Sequence, residues 1–318
     1  MRAVYLGAGL LLLAGLASPV FAGMDEDLAN CTAAKGRDSA DACTRVMNSG
    51  RLPREQFYIG YFNRGAGYRK AGDLDAALAD FNRVVSLNPD FARAFHARGL
   101  VRDEQDQPDK ALEDVDRAIK ISTKDWTAYY TRAAMRRAKQ DYDGAMADIE
   151  KAADLKPKQA QVGLMRALLK SDKGDYDTAR AEADKLIDDG DAKAAAYYVR
   201  ASIAFDEHDL DAATTDVDKA LDLKDTLAAA LLLKGRILEA RGDKAGAKSR
   251  YQQALAQPSS YLEGRSVQRK ARDRIGALNG IDGVATADAA LDTKPARNVG
   301  CKRFLPATGV TITIDCDK

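Results

Sequence analysis

The chain has 318 residues, a formal net charge of +1, and 31% charged side chains. A balance this even gives no general attraction to polyanions, so nucleic acid is not an expected partner. With only two histidines present, a histidine-rich metal site is not expected either, and no cofactor is predicted.

The N-terminus has the pattern of a signal peptide over residues 1–22. Arg2 is positively charged, residues 3–16 are an apolar run, and Ala22 ends a stretch of small residues suited to signal peptidase. The apolar run is shorter than the roughly 20 residues of a membrane span, so cleavage after Ala22 is favoured over an uncleaved anchor. The mature chain would then be periplasmic or secreted, with no stable membrane anchor.

Residues 58–260 repeat one pattern every 34 residues, without insertion or deletion. Alanine recurs at Ala77, Ala111, Ala145, Ala179, Ala213 and Ala247. Aspartate recurs at Asp73, Asp141, Asp175, Asp209 and Asp243, with Gln107 in the remaining copy. A fixed period of this length is typical of stacked supersecondary units.

Each unit is predicted to contain two helices. In the first copy, Arg64, Gly65 and Tyr68 follow helical spacing, and Gly72 interrupts the pattern before the second helix. Pro89 ends that second helix. The recurring aspartate falls where a helix N-cap is needed, because its carboxylate can accept hydrogen bonds from unpaired backbone amides.

The pattern resembles the tetratricopeptide repeat. Counting each unit from residue 58, the small residue of that family at position 8 is matched by Gly65, Gly99, Ala133, Ala167, Ala201 and Gly235. Its large residue at position 24 is matched by Phe81, Val115, Ile149 and Tyr251. In the two other copies this position holds Ala183 and Val217, which depart toward less bulk. The resemblance covers six repeats over residues 58–260 and implies an all-α fold, a right-handed α-α superhelix.

The same frame gives the first two cysteines a role. Cys31 and Cys43 precede Gly65 and Ala77 by one period, at the positions where the resembled family packs its two helices most closely. Export to an oxidising compartment favours disulfides. We therefore expect a shortened N-terminal repeat over residues 23–57, closed by a Cys31–Cys43 bond.

The segment after the repeats is predicted to begin with a helix over residues 261–278. Its basic residues are Arg265, Arg269, Lys270, Arg272 and Arg274. They could bind an acidic lipid or partner, but the favoured interpretation is the polar outer face of a capping helix, which a helical stack needs for solubility. Residues 279–300, rich in Gly, Ala, Asp and Thr, are predicted to be a linker.

The tail, residues 301–318, is predicted to be a small β-hairpin. Val310, Ile312 and Ile314 alternate with threonines, which is a strand pattern, and residues 306–309 form a turn. A Cys301–Cys316 disulfide would close it. The hairpin could pack on the repeats or bind a partner, and the sequence does not decide between these roles.

A regular series of charges also runs through the repeats. Position 7 holds Arg64, Arg98, Arg132, Arg166, Arg200 and Lys234. Position 23 holds Asp80, Asp114, Asp148, Glu182, Asp216 and Arg250. Pairing within a repeat would place Lys234 against Arg250, so pairing between successive repeats is favoured, as in Asp80–Arg98. Such pairs would fix the stacking register more than add stability.

No catalytic site emerges from the sequence. His96 has Asp103 and Glu104 two turns later, but no serine or cysteine nucleophile accompanies it in the repeat frame. The chain is therefore predicted not to be an enzyme. An envelope-remodelling enzyme, with its site in the tail, is the disfavoured alternative.

The resemblance implies a binding groove, because first-helix residues of that family line a concave surface that takes up peptides or helices. Carried onto this chain, that surface would contain Phe62, Asn63, Arg69, His96, Tyr130, Arg137, Tyr198 and Phe205. The expected function is a periplasmic scaffold or adaptor that binds a protein or peptide partner. The alternative is a chaperone-like or regulatory subunit of an envelope assembly or secretion machine. The oligomeric state is left open.

Overall fold

The computed structural model describes residues 19–33, 35–50, 52–190, 192–257, 264–280, 301–305 and 310–314. The chain divides into two compact units, Met1–Met135 and Arg136–Lys318. Each is described separately below. In both units, successive helices are joined by short turns and pack as helix pairs.

The first unit contains a short 3₁₀ turn (Arg54–Gln56) and the helices α1 (Pro19–Thr32), α2 (Arg37–Asn48), α3 (Phe57–Lys70), α4 (Leu74–Leu87), α5 (Ala92–Glu104) and α6 (Pro108–Ile121), and α7 (Trp126–Ala138) crosses its boundary. From α3 onward, odd-numbered helices are the first and even-numbered helices the second of each repeat. Helix α1 includes Ala22, so cleavage there would shorten it to residues 23–32.

The second unit contains α8 (Tyr142–Leu155), α9 (Ala160–Asp172), α10 (Tyr176–Asp189), α11 (Lys193–Asp206), α12 (Leu210–Leu223), α13 (Ala228–Ala240), α14 (Lys244–Ala256) and α15 (Gly264–Leu278), with strands β1 (Cys301–Leu305) and β2 (Val310–Ile314). None of the helices within the described residues is both long and apolar enough to span a membrane.

The two helices of a repeat cross where the sequence places its small residues. Ala77 and Ala111 are fully buried. A Cβ atom added at Gly99 would lie only 3.0 Å from the carbonyl oxygen of Ala111. A side chain larger than hydrogen would be tightly crowded there, so a small residue suits the close approach of α5 to α6, as the period of small residues predicts.

The recurring aspartates begin the second helices, and most of them act as N-caps. Asp73, Asp141, Asp209 and Asp243 each accept a hydrogen bond from the backbone N–H three residues later. Asp175 instead accepts the hydroxyl of Thr178. The predicted capping role therefore holds in four of these repeats, with a side-chain contact replacing it in the other.

A disulfide joins α1 to α2, as the sequence predicts. Cys31 and Cys43 have Cα atoms 4.5 Å apart, and both side chains lie in a small buried cluster with Ala42 and Val46. Helix α3 packs directly on this pair, because a Cβ added at Gly67 would lie 2.9 Å from the carbonyl oxygen of Gly36. The N-terminal helix pair thus covers the first face of the stack.

Most position-7 cations pair with position 23 of their own repeat, so the favoured inter-repeat register with position 23 is wrong. Arg64 Nη2 lies 2.8 Å from Asp80 Oδ1, and Arg98 Nη2 lies 2.6 Å from Asp114 Oδ1. The same pairing joins Arg166 to Glu182 and Arg200 to Asp216.

Contacts between repeats use position 25 instead. Arg98 donates to Asn82, Arg132 to Asp116, Arg200 to Asp184 and Lys234 to Asp218. Two residues along a helix correspond to about 200° of rotation, so positions 23 and 25 face opposite neighbours. One carboxylate therefore meets the first helix of its own repeat, and the other meets the next repeat.

In the last repeat, the expected clash between Lys234 and Arg250 does not occur. Lys234 Nζ lies 2.8 Å from Asp218 Oδ2, on the preceding second helix. Arg250 instead donates to the side-chain oxygen of Gln253 at 3.0 Å. Lys234 and Arg250 therefore do not share the pairing of the other repeats, and the clash that favoured the inter-repeat register does not arise.

Helix α15 closes the C-terminal side of the repeats. Val267 and Ala271 are buried against α13 and α14, and Ile275 and Leu278 pack partly buried beside them. The helix therefore packs on the last repeat, and its role as a cap stays a prediction.

Strands β1 and β2 pair antiparallel, with Cys301 opposite Ile314 and Leu305 opposite Val310. Residues 306–309, which would form the turn, and Cys316 lie outside the described residues, as do the predicted linker after residue 280 and the leader up to residue 18. The disulfide-closed hairpin therefore stays a prediction.

Removing the N-terminal disulfide should destabilise the chain. In Cys31→Ser/Cys43→Ser, the unfolded chain gains loop freedom, so we expect the free energy of unfolding to fall by about 3 kcal/mol. Urea denaturation followed by circular dichroism measures this. Added reductant should lower the stability of the wild type and leave the double variant unchanged. A wild type indifferent to reductant would contradict this role for the bond.

A double-mutant cycle should detect the pairing within repeats. Arg98→Ala and Asp114→Ala should be coupled by more than about 1 kcal/mol, because the two side chains are in contact. The matched pair Arg98→Ala and Asp80→Ala should show coupling below about 0.5 kcal/mol. Urea denaturation of the single and double variants gives both energies, and the opposite order would restore the inter-repeat register.

Candidate functional site

The eight side chains predicted to line the groove belong to first helices, at positions 5, 6 and 12 of the repeat. We call this set the first-helix face. The first unit contributes Phe62, Asn63, Arg69, His96 and Tyr130, and the second unit contributes Arg137, Tyr198 and Phe205. The structure places each of them on a helix, and the two groups are considered separately.

An aromatic group dominates this face near the start of the first unit. The ring centroid of Phe62 lies 5.2 Å from that of Phe91 and 5.8 Å from that of Phe81. The guanidinium carbon of Arg93 lies 5.0 Å from the Phe62 centroid. Asn63, the next residue, is half-buried. Phe62 is thus held in place by contacts that the sequence analysis did not identify.

Polar contacts link neighbouring first helices of this unit. Arg69 Nε donates to Glu104 Oε1 at 2.8 Å, and the side chains of His96 and Thr131 meet at 2.8 Å. Each of these two pairs is separated by 35 residues, one more than the repeat length. Glu104 and Thr131 were not predicted as part of the surface, although a search at this offset would have found them.

The protonation of His96 follows from its neighbour. The Thr131 hydroxyl donates its one proton to the backbone carbonyl of Thr127, so it must accept from His96 Nε2–H. Burial lowers the pKa of His96, with the positive charge of Arg69 acting in the same direction and the Asp125 carboxylate opposing it. His96 is therefore a neutral hydrogen-bond donor that holds α5 to α7.

Tyr130 is less available than the sequence suggested. Only 5% of the residue is exposed, and its ring packs edge-on against Trp126 with centroids 6.3 Å apart. Its ring therefore contributes more to packing in the first unit than to the surface.

In the second unit, Arg137 and Phe205 are both engaged by neighbouring side chains. Arg137 Nη2 donates to Asp172 Oδ1 at 3.1 Å, again across 35 residues. The guanidinium carbon of Arg236 lies 4.4 Å from the centroid of Phe205, which is a close cation–π contact. Tyr198 packs, half-buried, against clusters formed by α9, α11 and α13.

Asp206 adds an acidic group to this part of the face. Its closest hydrogen-bonding neighbour is the Ser171 hydroxyl, at 3.5 Å. Although the residue is exposed, partial shielding from water raises the pKa of Asp206; Arg236 opposes this shift, and repulsion from Asp172 adds to it. The surface of the second unit thus combines a neutralised arginine, an aromatic ring under a second arginine, and a carboxylate.

This set of groups is suited to binding by packing, hydrogen bonds and ion pairs. Within the described part of the chain, no group of three or more His, Cys, Asp or Glu side chains could hold a metal ion. The predicted residues fall on the expected helices, but several are already engaged within the chain. A partner would therefore contact preformed pairs rather than isolated charges.

Comparison with known families identifies the repeats. Three models described as tetratricopeptide repeat match residues 58–91, residues 96–160 and 164–228, and residues 229–260, together more than half of the chain. No curated protein was found to match the chain.

Several solved structures share this fold. A tetratricopeptide repeat protein from Parabacteroides merdae superimposes with a TM-score of 0.67 at 19% identity, covering 80% of this chain and 97% of that one. The type IV pilus biogenesis factor PilW gives a TM-score of 0.51 at 19% identity, over 65% of this chain and 97% of PilW. At these identities the likeness concerns the fold alone.

Stability should depend on pH through His96. Its pKa is lowered in the folded chain, so between that lowered value and about 6.5 the unfolded chain binds more protons. The contribution of His96 to stability is therefore complete above about pH 6.5 and is lost as the pH falls below it. His96→Gln keeps a donor for Thr131 but cannot titrate, so its denaturation midpoint should change less between about pH 7.5 and 5.5. Equal slopes in the variant and the wild type would contradict this assignment.

Proposed function

Because this chain belongs to the tetratricopeptide repeat family, we propose that it is a protein-binding scaffold of the cell envelope whose first-helix face receives an extended segment or helix of a partner. The family is one of protein–protein interaction scaffolds.

The observation that carries the proposal is the pairing of Phe205 with Arg236. An aromatic ring and an arginine, held against each other 4.4 Å apart, form a rigid anchor on consecutive first helices. Aromatic and arginine side chains are the residue types enriched at the energetically dominant points of interfaces. Because the pair is already ordered, a partner loses little side-chain entropy on binding there.

The charge pattern indicates what the partner segment contributes. Arg69 and Arg137 are neutralised by Glu104 and Asp172, so they offer little to a free carboxylate. The lysine–asparagine clamp with which some family members hold a C-terminal carboxylate is also unmatched. Apolar and aromatic side chains of an internal segment therefore fit this surface better than a charged chain end.

The envelope location is supported by two features. The first 22 residues have the signal-peptide pattern, and the Cys31–Cys43 disulfide is of a kind that persists in oxidising compartments. A cytosolic protein would have its thiols kept reduced.

Capture of partners from a periplasmic extract tests the binding surface. Phe205→Ala should lower the captured amount at least about tenfold, because it removes the anchor under Arg236. Tyr197→Ala is the matched control, since Tyr197 is a half-buried aromatic on the same helix that stacks on Arg200, a position-7 arginine, instead. It should keep the partners.

Two outcomes would contradict the proposal. Equal capture by the wild type and Phe205→Ala would exclude the anchor. Partners that survive Phe205→Ala but disappear when residues 291–318 are deleted would assign binding to the tail. Thermal melting of each variant establishes that it is folded before capture is compared.

A further inference from the structure

Two opposite charges on neighbouring first helices of the second unit lie near each other without forming an ion pair. Asp206 ends α11, and Arg236 lies on α13. The positive charge of Arg236 acts on the Asp206 carboxylate, yet within the described residues neither side chain makes a salt bridge. By contrast, Arg137 on the same face is neutralised by Asp172. The charges of Asp206 and Arg236 are therefore held apart.

The ring of Phe205 accounts for this separation. The guanidinium carbon of Arg236 lies 4.4 Å from the Phe205 centroid, so the arginine is placed against the ring and not against the neighbouring carboxylate. Within the part of the chain that the structure describes, the N–H groups of Arg236 make no hydrogen bond. Phe205 thus orders an arginine whose donors are left for an incoming group.

Asp206 has unused acceptor capacity. It accepts one long hydrogen bond, from the hydroxyl of the buried Ser171 at 3.5 Å. An ionised carboxylate has about four acceptor sites, so most of them are not filled by the described residues. Partial shielding from water and repulsion from Asp172 raise the pKa of Asp206. A further donor would therefore stabilise the ionised carboxylate.

We propose that Asp206 and Arg236 together bind a carboxamide group of the partner, an inference that rests on the proposed function of the first-helix face. A carboxamide has an N–H donor beside a C=O acceptor. Its N–H would donate to the Asp206 carboxylate, and its oxygen would accept from the Arg236 guanidinium. Both protein groups are charged, and hydrogen bonds to charged groups are the stronger ones.

The electrostatic balance of the site favours a neutral group over an ion. A carboxylate of the partner would be attracted by Arg236 and repelled by Asp206, and an ammonium group would meet the reverse. Arg137 and Asp172 do not shift this balance, because Arg137 Nη2 lies 3.1 Å from Asp172 Oδ1 and the two charges cancel. A neutral carboxamide uses both protein groups without repulsion from either.

Proteins present carboxamides in two ways, as main-chain peptide units and as the side chains of asparagine and glutamine. Peptide units in a helix interior are already hydrogen-bonded to each other, so the main chain is available only in an extended segment. A side-chain amide is available in either conformation. The two sources are distinguished by changing the ligand.

Peptides selected from a random library on the mature chain test the inference. Binding that depends on Phe205 identifies peptides seated at the proposed anchor. For these, Asp206→Ala should raise the Kd at least about tenfold in calorimetry, because it removes a charged acceptor. Asp222→Ala is the matched control, since Asp222 is an exposed aspartate of the same unit on the second helix α12. It should change the Kd less than about twofold.

Changes in the peptide locate the carboxamide. Methylation of one peptide nitrogen at a time removes a main-chain donor, and replacement of each asparagine or glutamine by alanine removes a side-chain amide. One such change should weaken binding to the wild type about tenfold and have little further effect on Asp206→Ala, because both remove the same hydrogen bond. Sensitivity to methylation assigns the main chain, and sensitivity to replacement assigns the side chain.

The outcomes separate this inference from the function on which it rests. Peptides that require Phe205 but bind Asp206→Ala as tightly as the wild type would overturn the carboxamide site and leave the anchor in place. Coupling of Asp206 to a lysine or arginine of the peptide, and to no amide, would also overturn it. Peptides indifferent to Phe205→Ala would contradict the proposed function itself. Thermal melting confirms beforehand that each variant is folded.

Discussion

A buried carboxylate in the second helix of most repeats must find a cation, and this requirement sets the helix packing. Asp114 is 3% exposed and is reached by both Arg98 and Arg102. Leaving such a charge without its partner typically costs about 3–5 kcal/mol, whereas the pair itself adds little net stability. The ion pair therefore mainly disfavours other packing registers of the helices. It fixes which face of each first helix is turned toward its second helix.

Aromatic rings support the same arginines from the other side. Arg98 lies over Phe95, and Arg200 lies over Tyr197, with guanidinium–ring distances of 5.3 and 5.4 Å. In the repeat that has Gly163 at this position, Leu186 packs into the space instead. The side chain at position 7 contacts an aromatic ring, its own repeat and the preceding repeat. Positions 5 and 12 therefore remain for the first-helix face. The proposed binding surface is thus a consequence of the stacking contacts.

Sequence alone predicted the features that depend on a strict period. The helix pairs, the small residues at the crossings and the Cys31–Cys43 bond all follow from counting in steps of 34. The pairing register did not follow, because own-repeat and inter-repeat partners have the same periodicity. The two sets of carboxylates differ only by the rotation of about 200° between positions 23 and 25. This rotation identifies the partners only when the placement of the neighbouring helices is known.

The helices that carry the candidate residues were predicted, but the contacts of those residues were not. Position 5 occurs on the same face of every first helix, yet Tyr130 is buried while Phe62 is only partly covered. The difference depends on neighbouring rings such as Trp126, which the repeat frame does not place in space. Likewise, Arg69 meets Glu104 at a spacing of 35, because neighbouring helices are offset by one residue. A search restricted to the repeat length misses such pairs.

The central claim is that the first-helix face receives the partner while the second helices maintain the stack. Hydrogen–deuterium exchange of the chain with a captured partner tests it most directly. The account predicts slower amide exchange in the first helices, α9, α11 and α13 above all, with α10 and α12 unchanged. Protection confined to the second helices, or to residues 301–318, would contradict it.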